Sequence, residues 1–543
     1  MLPPPARAGR RGGDPVANAD TLRAALDQPP KDRRSGGARY TLVRDLDVNV
    51  EHFNEVLGFG VSYDMILRRL RVAGVDIATY VVNGFFDSLM NLELMRQVAA
   101  VHPGPDAPLV GVGGERLEPP PAGPHGKRAD VLRALLQDRL AYAQVNVVHT
   151  FEDALTQVLS GPMILLVDGD ASVVVVDTRV YPDRNPSTPE INQLMHGPQD
   201  GFIENIISNS ALVRRRVRDA GLRFELVKIG RRSKTDVSIT YIVGLTDPGL
   251  VAEVRRRLKD IDIDGIPAAE GAIAEYLGRH PWNPFPTVRL TERPDVAAVE
   301  LYAGHVVLLV DTTPVAVCLP TTMLQLLQHP EDYHVGPLFG TYLRWVELFG
   351  LFVALLVPPL WLLLATHPAL THGFAALQLI GPKKPATVAL PLQFLLAEVS
   401  IDVLRRAILN SPTPLATSFG ILGAVVLGDV AVKTGIFSPE TLIYVVGASI
   451  ASFAISNLEL GMATRIIRIT LIALEWLWAL PGVVVGLLFW LVFAARTKSL
   501  GVPYLWPLVP FNWSALRTVL IRQPITVTGR RHPIYRAQDR WRA

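Results

Sequence analysis

Short β-branched runs alternate with helical spacings over the first two-thirds of the chain. Residues 66–72 and 77–82 are such runs, and the Ala73-Gly74-Val75 break between them predicts a hairpin. Helical spacing follows at 87–101, then at 129–142 and 151–159. Between these lies a Pro/Gly-rich stretch, 102–128, too full of turn residues for a core element. Two apolar strands, 163–167 and 173–176, are joined through Asp168-Gly169-Asp170. The order then recurs. Runs 222–229 and 237–243 flank the polar turn GRRSKT at 230–235, a helical pattern covers 248–258, and runs 306–310 and 315–318 flank Asp311-Thr312-Thr313-Pro314. LSGPMILLVDGDASVVVVDT, from Leu159, overlays LYAGHVVLLVDTTPVAVCLP, from Leu301, and TYVVNG at Thr79 overlays TYIVG at Thr240. A period of about 140–160 residues is too long for a solenoid. It predicts two related α/β subdomains, at 39–186 and 187–340. The arm before them, 1–38, has too few apolar side chains to offset ordering entropy and is expected to be disordered.

From residue 341 to 500 the pattern is that of a helical membrane domain. Residues 345–495 hold only 7 acidic and 7 basic side chains. The segment 345–366 reaches roughly 33 Å as a helix, enough to cross a bilayer core, and Pro358-Pro359 should kink it. Further spans are expected at 415–435, at 442–455, and at 465–495, the last interrupted by Pro481-Gly482 and readable as one long tilted helix or a broken one. Residues 391–409 differ. Their charges, Glu398, Asp402, Arg405 and Arg406, fall within about a 100° arc of a helix that is otherwise apolar. Three readings stay open: a helix lying at the membrane interface, a charged face lining a water-filled path, or ion pairing between helices. Asp429 and Lys433 form a second intramembrane pair, at i,i+4. These six residues are the candidate pore-lining or intramembrane polar positions.

Charge sets the orientation. The last 48 residues carry 9 basic and 1 acidic side chains, which keeps the basic tail, 501–543, in the cytoplasm. Arg7, Arg10 and Arg11 have no apolar run behind them, so no secretory signal is expected and the N-terminal region stays on the same side. An even number of crossings follows: four, with 391–409 dipping in, or six if the last segment splits and 391–409 crosses. Tyr504, Trp506 and Trp513 are expected at the inner interface. The expected fold is thus an α/β cytoplasmic region of two related subdomains followed by an α-helical multi-span membrane domain.

Candidate chemistry is sparse. Residues 1–344 carry 37 basic and 42 acidic side chains, a balance that argues against a nucleic-acid partner. The one cysteine, Cys318, excludes a disulfide within the chain and a cysteine zinc site. GRRSKT lacks the glycine spacing of a phosphate-binding loop. Asp168, Asp170 and Asp311 sit where turns favour Asp. His149, His196, His280 and His305 show no metal-ligand or triad grouping. No enzyme, metal or cofactor is expected.

Several strings form a recognisable set: GPQDGFIEN (Gly197, Pro198, Gly201, Phe202, Glu204 and Asn205 among them), GRRSKT (Gly230, Arg231, Arg232, Ser233, Lys234, Thr235), TERPD (Thr291, Glu292, Arg293, Pro294, Asp295) and RTKSLGVPYLWPLVP from Arg496. Together they resemble the A-subunit proteins of the GerA spore germination family over about residues 60–520. The family's usual GPREGF reads GPQDGF here. The resemblance implies a protein of the endospore inner membrane, its N-terminal domain facing the core, that forms a homo-oligomeric ring around an ion-conducting pore. It implies other germination membrane proteins as partners, besides the lipid bilayer. LSGPMILLVDG, WNPFPTVRLTERPDVAAVELYAGHVVLLVDT and GTYLRWVELFG are most similar to a branch tied to dipicolinic acid release. No catalytic or ligand residue carries over, and the motif residues are expected to be structural or interface positions. A scaffold that docks receptor components without conducting is the competing reading. A secondary transporter ranks last, since the repeat lies in the soluble part and not in the membrane part.

Overall fold

The structure is a computed structural model of the chain. It describes residues 40–541 apart from 73, 87, 100–144, 181–196, 267–268, 279–281, 369–380, 384–386, 412, 525–530, 532 and 540. The arm at 1–38, the Pro/Gly-rich stretch, the helix expected at 129–142, His196 and His280 lie outside the described residues.

The β-branched runs build two five-stranded sheets. The first comprises β1 (Met65–Val72), β2 (Val75–Val82), β3 (Val145–Val148), β4 (Met163–Val167) and β5 (Val173–Val176), with helices α1 (Leu46–Leu57), α2 (Ser88–Ala99) and α3 (Phe151–Ser160). The second comprises β6 (Leu222–Ile229), β7 (Thr235–Ile242), β8 (Arg289–Thr291), β9 (Val306–Val310) and β10 (Ala316–Leu319), with α4 (Ile206–Arg216), α5 (Pro248–Lys259), α6 (Ala269–Gly278) and α7 (Pro294–Ala303). Strand order is β1-β2-β4-β5-β3 in one and β6-β7-β9-β10-β8 in the other, with antiparallel neighbours throughout. The register matches as well. Thr79 faces Leu165 across β2 and β4, and Thr240 faces Val307 across β7 and β9. These are the residues that coincide when the two strings of sequence are overlaid.

Alternate strand positions feed opposite sheet faces. Tyr80, Ile164 and Leu166 pack with α1 and α3, whereas Ile77, Leu165 and Val167 pack with α2. In the second sheet Ile239, Tyr241 and Leu308 meet α5 and α6, while Phe224, Val307 and Leu309 meet α4 and α7. The sheets are locked together by a buried ion pair. Arg214 donates through Nε to Asp64 at 2.8 Å and through Nη2 to the Leu222 carbonyl at 3.1 Å. Beside it Gly58 ends α1 at φ +68, where an added Cβ would overlap the Arg223 guanidinium.

After the short helix α8 (Met323–Leu326) come the long helices: α9 (Pro337–Thr366), α10 (Leu390–Leu409), α11 (Thr413–Ala424), α12 (Pro439–Phe453) and α13 (Leu458–Arg496). α11 continues through π-helical turns Val425–Val430 to Lys433. Among the described residues, α9 and α13 are long and apolar enough to cross a bilayer, and α12 is apolar but shorter.

α13 is not one rod. Ala479 leaves helical geometry (φ 53, ψ −134), and Pro481 has no N–H to continue the ladder. A Cβ added at Gly486 would lie 2.8 Å from side-chain atoms of Leu471 and Leu474. A straight helix would put 471 and 486 roughly 22 Å apart. The arms 458–478 and 480–496 therefore fold back as a hairpin, and Gly482 and Gly486 admit the close approach.

Contacts along the helices fix their directions. Glu347 near the start of α9 meets Ser456 just before α13, whereas Thr366 at the end of α9 donates to Glu475 at 2.7 Å. Trp361 stacks on Tyr444 early in α12 at 4.8 Å, so α12 runs back toward residue 350. α10 also runs antiparallel to α9: Phe394 lies 5.7 Å from Trp361, and Arg405 lies over Phe453. Gly435 accepts from Thr387 at the end where α10 begins, so α11 runs the opposite way to α10. Among the described residues the result is six passes, each antiparallel to the one before it. Segment 391–409 runs alongside its neighbours and not across their ends, which departs from the interface-lying expectation. The tail returns to the second sheet: Ala537 joins its core, and Gln538 N–H donates to Leu245 at 2.9 Å. Tyr504 and Trp506, expected at the interface, are buried, and only Trp513 of the three is exposed.

Candidate functional site

Two of the sequence motifs converge beside the first long helix. Asn205 caps α4 by accepting from Ile207 and Ser208 N–H, and Pro294 opens α7. This brings 197–205 against 291–295. Arg293, fully buried, donates through Nη2 to the Pro198 carbonyl at 2.8 Å and grips Asp295 with Nε and the same Nη2. Phe202 N–H donates to Glu292, Arg293 N–H to Thr291 Oγ1, and Thr312 N–H to Glu204. Asp200 accepts from Arg216 at 2.6 Å. Gly197, at φ +122, lies against the His334 imidazole, which approaches Asp295 at 3.5 Å. Gly201 is buried in the same bend. His334 sits three residues before α9. Asp332 next to it, whose carboxyl burial pushes up against the pull of Arg344, accepts from Arg344 Nε at 3.1 Å. The motifs thus form the joint between the second sheet and the helices.

GRRSKT is not part of that joint. Gly230 (φ +89) to Thr235 make the β6–β7 turn. Residues 262–264 hold it: Arg231 pairs with Asp262 at 2.6 Å, Arg232 with Asp264 at 3.4 Å, and Ser233 N–H donates to Asp264. Lys234, at φ +47, is exposed.

A third cluster links the tail to the sheet. Glu300 takes hydrogen bonds from Arg289 at 2.9 Å and Gln325 at 2.6 Å and contacts His305, while Tyr535 packs edge-on against the His305 ring and donates to Gln325. Burial opposes its charge, but His305 and Arg289 hold the Glu300 carboxyl down at about 2.

Within the helices the candidates separate into two groups. Glu398 is wholly buried and accepts two hydrogen bonds from Arg468, at 2.6 and 2.7 Å. Arg468 also donates to the Ala354 carbonyl. Pro358, four residues on, supplies no N–H to that oxygen, so the arginine satisfies an acceptor that the helix kink leaves free. One turn further along α10, Asp402 pairs with Arg465. Arg405 lies over the Phe453 ring, and Arg406 is exposed near the end of α10. Of the three readings open for this helix, the geometry of Glu398 and Asp402 matches ion pairing between helices and not a charged face on an open path. Arg465 and Arg468 were missed in the sequence. Their signal was two cations three residues apart, opposite in sign to two anions four residues apart on another apolar helix.

Asp429 and Lys433 behave differently. They pair with each other at 2.6 Å but stay 59% and 72% exposed. The surface around them is apolar and open: Ile421, Leu422, Val425, Val426 and Val430 are all exposed. Elsewhere, Asp170 closes its own turn on Ser172 and Asp311 accepts from Ile206 N–H. Among the described residues no three His, Cys, Asp or Glu side chains gather as a metal site would require.

Comparison with known proteins follows the same outline. The family described as Bacillus/Clostridium GerA spore germination protein matches residues 51–534. Stage V sporulation protein AF of Bacillus subtilis (strain 168) is 39% identical over 474 residues, covering 87% of this chain and 92% of the relative. Spore germination protein KA of the same organism is 27% identical, over 86% and 82% of the two chains. The N-terminal domain of the A subunit of the Bacillus megaterium spore germinant receptor GerK3 is 27% identical in its crystal structure, over 51% of this chain and 96% of that one, with a TM-score of 0.38.

Proposed function

On the premise that this chain belongs to the GerA family of spore germination proteins, we propose that it is a multi-span subunit of an oligomeric ion channel in the endospore inner membrane. In this reading it answers or amplifies germinant-receptor signalling and promotes dipicolinic acid release. Its partners are the bilayer, further copies of itself and other germination membrane proteins. The six passes become six crossings, the second of the two counts the sequence left open, with the α/β region and the tail on the cytoplasmic side. The two sheets, spanning 39–186 and 187–340, are the products of an internal duplication.

The observation that carries the channel reading is the exposed Asp429–Lys433 pair on an apolar helix. A charge facing lipid costs about 2.5–3.5 kcal/mol at the centre of a bilayer, so such residues face water or another chain. The π-helical turns that hold Asp429 fit this, since such turns recur at functional positions. A ring of copies would turn this face of each subunit toward a shared aqueous axis. The test is planar-bilayer recording of the purified protein, with the oligomer mass measured in the same detergent. Asp429→Asn with Lys433→Gln should shift ion selectivity while the oligomer mass stays constant. Currents that ignore this change would remove the pore assignment. The scaffold alternative draws support from the exposed GRRSKT turn, a ready contact surface on the second sheet. It predicts silent bilayers with the oligomer intact.

A further inference from the structure

The returning arm of α13 carries an apolar furrow lined by Val485, Leu488, Phe489, Val492 and Phe493, and the furrow ends at Arg496. Lys498, two residues on, is exposed like Arg496, and neither has an acidic partner among the described residues. Resting on the reading of α13 as membrane-spanning, we propose that the furrow binds one anionic phospholipid of the cytoplasmic leaflet. One acyl chain lies along 485–493, and Arg496 and Lys498 hold the phosphate.

Three observations support this occupant. The first is length. From 485 to 496 the helix rises roughly 16 Å, which matches half of a hydrocarbon core about 30 Å thick. The second is charge. The furrow is apolar along its length and cationic only at the end where the arm meets the α/β region, so the polarity runs in the order of a phospholipid, tail to headgroup. The third is the rim. Trp282, 94% exposed, stands in the loop that Asn283 ties to Thr497 at 3.2 Å. Phe285 anchors that loop against Trp490, Phe493 and Tyr504. An exposed indole on an anchored loop, near two cations at the helix end, is the composition of a headgroup-level belt. The opposite side of the arm is already filled by Leu471 and Leu474, which leaves the furrow facing outward.

The test uses the full chain in nanodiscs of phosphatidylcholine with a minor fraction of phosphatidylglycerol, and counts retained lipids by native mass spectrometry. The wild type should keep phosphatidylglycerol in preference to phosphatidylcholine. Arg496→Gln with Lys498→Gln should weaken that retention about twenty-five-fold, at about fivefold per cation. Val492→Trp, which fills the furrow and spares both cations, should release the lipid as well, while Arg44→Gln on the first sheet's side should change nothing. Equal retention in the wild type and the double variant would overturn the proposal. So would retention blind to headgroup charge. A fall in oligomer mass with lipid retention unchanged would assign the furrow to a second copy instead. Lipid retention reads out independently of current, so silent bilayers sink the channel reading without touching this one.

Discussion

Arg468→Met tests the internal architecture of the helices most directly. The substitution keeps an unbranched apolar stem and removes three hydrogen bonds. Two go to Glu398, which is fully buried, and one to the carbonyl of Ala354. Removing one partner of a buried ion pair costs about 3–5 kcal/mol, because the other charge is left uncompensated. The orphaned carbonyl adds about 1–3 kcal/mol. Glu398→Met alone strands the arginine and should cost about as much as the lost pair. Arg468→Met with Glu398→Met removes both charges and leaves only the carbonyl unsatisfied, so the double variant should be more stable than either single one, by roughly 2 kcal/mol. Unfolding titrated with a denaturing detergent and followed by circular dichroism measures the cycle. If either single variant unfolds within about 0.5 kcal/mol of the wild type, or if the double variant is no better than the singles, the pair does not hold α10 to α13. The same geometry reverses an expectation drawn from the sequence. Glu398→Ala with Asp402→Ala should lower the yield of folded protein and not retune a pore.

Three further outcomes follow from other parts of the molecule. With Cys318→Ser as background, Leu471→Cys and Gly486→Cys should form a disulfide under mild oxidation, because the hairpin brings them together; a straight α13 would hold them far beyond the roughly 7 Å that a bridge spans, and intact free thiols on mass analysis would mean the arms do not fold back. Gly482→Leu should open the hairpin by overlapping the Leu474 carbonyl, costing about 1–3 kcal/mol and lowering the yield of that crosslink if introduced into the same background. Glu300, held down at about 2 from an ordinary 4.5, contributes stability that is present above pH 4.5 and is lost as pH falls toward 2. The gap in unfolding free energy between the wild type and Glu300→Gln should therefore narrow by roughly 3 kcal/mol over that window, and a gap that does not change with pH would dissociate Glu300 from His305 and Arg289.

How far the sequence speaks depends on whether a signal is local. Four strands of each sheet were legible because they are apolar, β-branched-rich runs and because the two overlaid strings share a register; the short edge strands β3 and β8 (Arg289-Leu290-Thr291) were not read from the sequence. The overlay equates Thr79 with Thr240 and Leu165 with Val307, so the two sheets share one register, but that these residues pair across neighbouring strands is seen only in the structure. The hairpin in α13 was only half legible. Pro481-Gly482 marks an interruption, but a kink and a full reversal look alike until Gly486 is seen against Leu471 and Leu474, and those contacts are tertiary. Tyr504 and Trp506 misled for a related reason: aromatic residues near a helix end suit a headgroup belt and a packed core equally well, and Phe285, from a distant loop, decides for the core.

The charged residues carry the most instructive case. In the sequence, Glu398 and Asp402 on α10 could face water, lipid headgroups or partners. Read together with Arg465 and Arg468, the choice narrows. Residue 398 meets 468 and residue 402 meets 465, so the numbers rise on one helix as they fall on the other, as antiparallel neighbours require. With the anions of α10 paired to α13, the exposed ion pair left on a bare apolar helix surface among the described residues is Asp429 with Lys433. That pair neutralises itself at i,i+4 and gains little from doing so. Its position on an open face therefore needs a reason outside the single chain. An aqueous axis shared by several copies supplies one, and the selectivity of Asp429→Asn with Lys433→Gln decides whether it is the right one.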